Sequence, residues 1–272
     1  MTPLASRLAD TRTQGRAALI GYLPAGFPNP QASVRLLRAL VAGGVDVLEV
    51  GLPYSDPLMD GPVIQEAAQA ALLAGTTTPV VLDVVRQVSD AGAPVVVMSY
   101  WNPIERFGVD RFARDLAGAG GCGLVTPDLT IEESDEWTRA SDAHGIDRIF
   151  LVAPSSTPAR IAAVTTACSG FVYAASTMGV TGTRTSVSTA ASGLVERVRL
   201  ATDLPVAVGL GVSTRDQARE VGAYADGVIV GSAFVRAVLD SRTADGSMDV
   251  AAAESAVRQL AESLSAGIRE AR

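Results

Sequence analysis

The sequence contains no lysine, its Lys+Arg total of 22 being arginine throughout. It has one histidine, His144, two cysteines, Cys122 and Cys168, and only 5% aromatic residues. Each shortage closes off chemistry. Without lysine there is no Schiff-base aldolase, no covalently held pyridoxal phosphate and no Walker-type phosphate lysine. One histidine excludes multi-histidine metal centres and leaves His144 as the only imidazole for a nucleophile relay. Its place at the end of a helical pattern, before Gly145, reads instead as a helix C-terminal residue facing the dipole. The cysteines lack CxxC spacing and read as unpaired structural thiols. No apolar run approaches the roughly 20 residues that span a membrane, and Met1 to Arg7 lacks the apolar run of a signal peptide. A net charge of −7 disfavours nucleic acid as a partner. The expectation is a cytoplasmic protein with no metal, no membrane and no nucleic acid partner, whose chemistry falls to carboxylates, tyrosines and backbone dipoles.

What the sequence does have is alternation. Eight β-rich apolar runs, bounded by Gly or Pro, cover 18–23, 45–50, 94–99, 121–126, 148–153, 170–175, 205–208 and 226–230. Helical patterns fill 31–41, 63–73, 79–91, 110–119, 131–144, 158–168, 190–201, 215–222 and 233–239. The strands are apolar almost throughout, as parallel strands covered on both faces are. Eight β/α units in 272 residues predict a single-domain (β/α)8 TIM barrel over 1–272. An extra N-terminal helix (3–12) and a trailing one (248–269) flank it. An open doubly wound sheet is the alternative, but its dinucleotide fingerprint after the first strand is missing. The second-to-third and sixth-to-seventh intervals are the longest, so long loops follow strands 2 and 6 on the face where barrels carry their active sites.

Three constellations on that face carry chemistry. Glu49 lies near the end of an apolar strand, where an ionised carboxylate must be paired or kept partly neutral; it is either an acid/base residue or a structural Glu bound to arginine or backbone N–H groups. Asp60 follows in the first long loop, among prolines and glycines, with either a turn-forming or a catalytic role. Glycine clusters at 209–214 and 231–233, with 179–182 in the other long loop, suggest a phosphate cradle of backbone amides that needs no lysine. Tyr22, Tyr54, Tyr100 and Tyr173 fall late in a strand or just after one, at the mouth of the barrel, and read either as rim residues or as the walls of an apolar ligand pocket. Arg106, Arg111 and Arg114 form a solvated helix face.

The runs LEVGLPYSDPLMDGPVIQ, YAASTMGVTGTR, VGLGVS and VIVGSAFV together resemble the tryptophan synthase alpha chain family, in the family's order from about Gly21 to Val238. The resemblance implies retro-aldol cleavage of indole-3-glycerol phosphate to indole and D-glyceraldehyde 3-phosphate. With neither lysine nor a metal site, the electron sink is then the indole ring. By resemblance Glu49 is the acid/base residue, Asp60 steadies the cationic ring through its N–H, and Tyr173 lies near the glyceryl group. Gly182, Gly211, Gly231 and Ser232 match the phosphate-holding amides, Tyr22, Met98 and Tyr100 the indole pocket, and Thr181 the loop threonine that orders beside Asp60. Asp56, Pro57 and Asn102 match the face that docks on a beta chain, implying an alpha-beta-beta-alpha heterotetramer. No cofactor is expected in this chain; pyridoxal phosphate belongs on the beta chain. Alternatives are a free-standing indole-3-glycerol-phosphate lyase, a non-catalytic activator of the beta chain, and another phosphate-binding barrel such as a sugar-phosphate isomerase. Pro24, Phe27 and Thr177 depart from the commonest family pattern.

Overall fold

The computed structural model describes residues 1–175, 184–209 and 211–271, the side chains of 184–189 excepted. Its strands are β1 (Ala18–Pro24), β2 (Val47–Gly51), β3 (Val95–Met98), β4 (Gly121–Val125), β5 (Asp147–Ile149), β6 (Leu151–Val152), β7 (Val172–Ala175), β8 (Val206–Gly209) and β9 (Gly227–Val230). All pairings between them are parallel, in the order β5-β4-β3-β2-β1-β9-β8-β7-β6. The two end strands are halves of one run that breaks at Phe150. Thr126 N–H donates to the Ile149 carbonyl at 3.3 Å and Tyr173 N–H to the Phe150 carbonyl at 3.1 Å, so the ring closes through that residue. The eight expected runs are the eight staves of this TIM barrel.

The helices are α1 (Pro3–Thr13), α2 (Pro30–Ala42), α3 (Pro62–Leu73), α4 (Thr78–Val88), α5 (Trp101–Phe107), α6 (Val109–Gly118), α7 (Asp135–His144), α8 (Pro158–Ala167), α9 (Arg184–Arg199), α10 (Arg215–Gly222), α11 (Ser232–Leu239) and α12 (Val250–Arg269). Proline in the first turn starts α1, α2, α3, α4 and α8, where its missing N–H costs nothing. Two elements differ from expectation. The segment expected as one helix over 131–144 opens with a separate 3₁₀ turn, Ile131–Glu133. A seven-residue helix, α5, follows Tyr100 directly; Pro103 inside a short segment masks its periodicity. His144 ends α7 ahead of Gly145, which takes the left-handed conformation at φ 67°, and its ring lies 3.0 Å from the Asp110 carboxylate. Both cysteines are buried and unbridged, and Arg106, Arg111 and Arg114 are exposed. No single helix among the described residues is long and apolar enough to cross a membrane.

The core has two compartments. The larger lies between the strands and the surrounding helices. The smaller fills the barrel interior, where Ala18, Ile20, Val47, Val96, Ile149, Ala207 and Ile229 meet, and Leu4 and Leu8 of α1 plug the lower end. The N-terminal face is tied by carboxylates at strand starts. Asp46, 5% exposed, receives two hydrogen bonds from Arg16 at 2.7 and 2.8 Å and one from Leu19 N–H at 2.9 Å. Asp226 accepts Val206 N–H at 3.1 Å and pairs with Arg199. These are stability devices; the opposite face is left for chemistry.

Candidate active site

Strand periodicity places the site. Inward-facing positions alternate along each strand, so the next one above the apolar layer is Tyr22 after Ile20, Glu49 after Val47, Met98 after Val96, Gly209 after Ala207 and Gly231 after Ile229. These residues, with Asp60, Tyr173, Gly211 and Ser232, line one cavity of about 410 Å³. The sequence candidates Tyr22, Glu49, Asp60, Met98, Tyr173, Gly211, Gly231 and Ser232 are thus gathered from distant strands and loops into one space.

Glu49 is 1% exposed and sits beside Tyr22 and Val96 in the sheet register. Its Oε2 makes no hydrogen bond among the described residues. Among the described residues neither arginine nor backbone N–H satisfies that oxygen. Burial pushes the carboxyl up to about 8. At neutral pH Glu49 is therefore mostly a neutral acid, able to give a proton and then take one back.

Asp60 stands in the loop between β2 and α3. Burial raises its carboxyl above the ordinary range, while a hydrogen bond from the Tyr100 hydroxyl pulls it partly back. The same hydroxyl accepts Met59 N–H at 3.0 Å. Burial holds the Tyr100 phenol at about 12, so it remains a donor. Tyr100, expected in the indole pocket, is 3% exposed and meets the Asp60 loop through its hydroxyl, next to the cavity-lining Met59 and Asp60. α5 begins at once after Tyr100. Tyr22 and Tyr173 are both pushed well above the ordinary phenol range, first by burial and then by the two carboxylates.

Glycines make room for these side chains. A Cβ at Gly51 would stand 2.4 Å from the Tyr22 hydroxyl, and one at Gly209 would stand 2.6 Å from the Tyr173 hydroxyl. Across the cavity, Gly231 starts α11 with no side-chain cap. Gly231 and Ser232 border the cavity, so the positive end of that helix faces it. The neighbouring α10 has its N-terminus closed by a Thr214–Gln217 capping box. Gly211, at φ 68° in the turn between β8 and α10, takes the left-handed conformation that favours glycine. Acid and carboxylate at one end, and uncapped helix amides at the other, suit a ligand with an anionic tail and a reacting ring. Among the described residues no group of His, Cys, Asp and Glu is arranged to hold a metal ion.

The model of the tryptophan synthase alpha chain family matches residues 8–265. The chain belongs to that family. The tryptophan synthase alpha chain of Thermobifida fusca is 60% identical over 274 residues, covering 100% of this chain and 99% of that one. That of Mycobacterium marinum is 56% identical over 270 residues, covering 98% and 96%. A solved Mycobacterium tuberculosis tryptophan synthase chain superposes with a TM-score of 0.90 at 51% identity, covering 98% of both chains. A tryptophan synthase subunit alpha from Legionella pneumophila reaches 0.89 at 32% identity, again covering 98% of both.

Within this alpha-chain barrel, the residues assigned to a docking face stand at the rim. Asp56 and Asn102 are exposed, next to Leu58 at 76% and Met59 at 41% exposure. The Asn102 amide donates to the Tyr54 hydroxyl at 2.8 Å, and the Tyr54 ring lies 5.5 Å from that of Tyr100. Thr181 and Gly182, with Thr177, fall outside the described residues. Pro24 ends β1 and Phe27 is 2% exposed, so both departures from the family pattern are absorbed into the core. Asp128, not singled out from the sequence, accepts Trp101 N–H at 2.9 Å and 3.2 Å through its two oxygens. Only the unforeseen α5 could have drawn attention to it.

Proposed function

We propose that this chain is the lyase subunit that cleaves indole-3-glycerol phosphate to indole and D-glyceraldehyde 3-phosphate. The reading rests above all on Glu49, a buried carboxyl with an unpartnered oxygen, facing a cavity that also holds Asp60 and an uncapped helix N-terminus. Protonated Glu49 gives its proton to ring carbon C3, leaving the ring as an indolenine cation. Asp60 accepts the ring N–H and offsets the positive charge. The ionised Glu49 then takes the proton of the hydroxyl on the carbon attached to C3. As the carbonyl forms, the carbon–carbon bond breaks and its electron pair returns to the ring, restoring indole. Tyr173 borders the glyceryl group, Tyr22 and Met98 flank the ring, and the amides at Gly211, Gly231 and Ser232 hold the phosphate. Glu49 begins and ends the cycle protonated, so no external acid is consumed.

The exposed Asp56, Leu58, Met59 and Asn102, with the half-buried Pro57, beside the mouth suit a beta chain that receives indole, in an alpha-beta-beta-alpha assembly working in the cytoplasm. Pyridoxal phosphate belongs to that partner, since this chain has no lysine to carry it. The test is indole release from indole-3-glycerol phosphate, with and without a candidate beta chain. Glu49→Gln is expected to abolish release while the barrel stays folded, and Asp60→Asn to slow it by about 100-fold or more. Near-normal release by either variant removes that residue from the scheme. Equal rates with and without the beta chain would favour a free-standing lyase.

A further inference from the structure

We propose that Asp128 is a positioning residue for Asp60, acting through the N-terminus of α5 and the Tyr100 side chain. The inference rests on the lyase reading for its importance, but its geometry is independent of it. Asp128 lies in the loop after β4, outside the cavity lining. Both of its oxygens accept the N–H of Trp101, the first residue of α5. The residue before Trp101 is Tyr100, whose backbone is extended at φ −62° and ψ 157°, and which supplies no side-chain cap to its own helix. The cap is supplied instead by Asp128, from 27 residues away in sequence.

That arrangement fixes where Tyr100 can point. The Ser99 hydroxyl donates to the Tyr100 carbonyl at 2.7 Å, so both ends of the peptide group between Tyr100 and Trp101 are held. The phenol then reaches across to the loop after β2, accepting Met59 N–H at 3.0 Å, one residue before Asp60, whose carboxyl it also draws down. The Tyr100 hydroxyl thereby holds the loop segment at Met59, directly before Asp60. Three loops are thereby linked in series, from Asp128 through Trp101 and Tyr100 to Asp60. A seven-residue helix is marginal by itself, and removing its capping acceptor lets the first turn fray. Tyr100 is the residue at that fraying end. Further along, Ile104 is fully buried in the core and keeps the body of α5 in place, so the effect of losing the cap is confined to its beginning.

The test follows amide hydrogen exchange by mass spectrometry in the segment containing Met59 and Asp60, together with kcat and KM for indole release. It compares the full-length wild-type chain with Asp128→Ala, Asp128→Asn, Tyr100→Phe and the Asp128→Ala/Tyr100→Phe pair. Asp128→Ala is expected to speed exchange of that segment by about 10-fold or more, and to lower kcat by about 10- to 100-fold with KM changed by less than about 3-fold. Asp128→Asn keeps one acceptor oxygen for Trp101 N–H and should restore both readouts to near wild type. In the Tyr100→Phe background, Asp128→Ala should add little, since both act along one series. Unchanged exchange in Asp128→Ala, or equally unchanged exchange in Tyr100→Phe, overturns the proposal. So do losses that simply add in the double variant. The exchange arm needs no substrate. If wild type releases no indole, the lyase reading falls while the positioning proposal is still decided.

Discussion

Replacing Glu49 by Gln should make the barrel more stable as well as inactive, and the gain should grow with pH. The unfolded chain releases the Glu49 proton near 4.5, whereas burial holds it to about 8 in the folded state. Between those values the folded protein binds more protons than the unfolded one, so stability falls as pH rises through the window and levels off above it. At 1.36 kcal/mol per pK unit, the cost is under ~1 kcal/mol at pH 5, ~3 kcal/mol at pH 7 and ~4 kcal/mol at pH 8. Gln has nearly the same shape and no charge to desolvate, so Glu49→Gln removes this penalty. Urea unfolding of both proteins at pH 5, 6, 7 and 8 measures the difference directly. At 2–4 °C per kcal/mol, the melting temperatures should be nearly equal at pH 5 and separate by ~10 °C at pH 8. A difference that does not change between pH 5 and 8 would refute the argument, because only the ionisation of a buried carboxyl makes it pH-dependent. A variant less stable at pH 8 would do the same.

The same group sets the alkaline limit of the reaction. Because Glu49 must enter the cycle protonated, kcat/KM should fall about tenfold per pH unit above about 8, and a profile flat to pH 9.5 would exclude it as the acid. Gly51→Ala brings a methyl group against the Tyr22 hydroxyl at 2.4 Å. It should displace that ring and lower kcat/KM by roughly 10-fold or more in the indole assay. Asp46→Ala strips the half-buried Arg16 and the buried Leu19 N–H of their acceptor. It should cost about 3 kcal/mol in urea unfolding yet leave the rate per folded molecule unchanged, since Asp46 lies on the face away from the cavity.

The barrel was legible because its signal is local. Runs that are apolar on both faces mark parallel strands, and Pro or Gly at their ends mark where each unit turns. The break at Phe150 and the helix α5 were not legible, since one is a kink in pairing and the other is too short to show a period. Asp60 and Glu49 stood out as carboxylates in apolar surroundings. Asp128 did not, because an aspartate in a polar loop has many ordinary uses and its partner is 27 residues away. The position of Tyr100 just after a strand was legible, but the packing of its phenol on the loop after β2 was not, because its partner Met59 is 41 residues away.

The absence of lysine, by contrast, was decided by the sequence alone. Composition determines which functional groups exist, so the exclusion of lysine-based electron sinks and phosphate grips needed no coordinates. The chemistry of the groups that remain was decided by tertiary structure. Glu49 is an ordinary carboxylate in an unfolded chain; it becomes an acid of pKa about 8 because neighbouring staves remove water and leave one of its oxygens unpaired. Asp60 acquires its place through a tyrosine held by a third loop. Those properties belong to distances and burial, which are fixed when the sheet closes on itself.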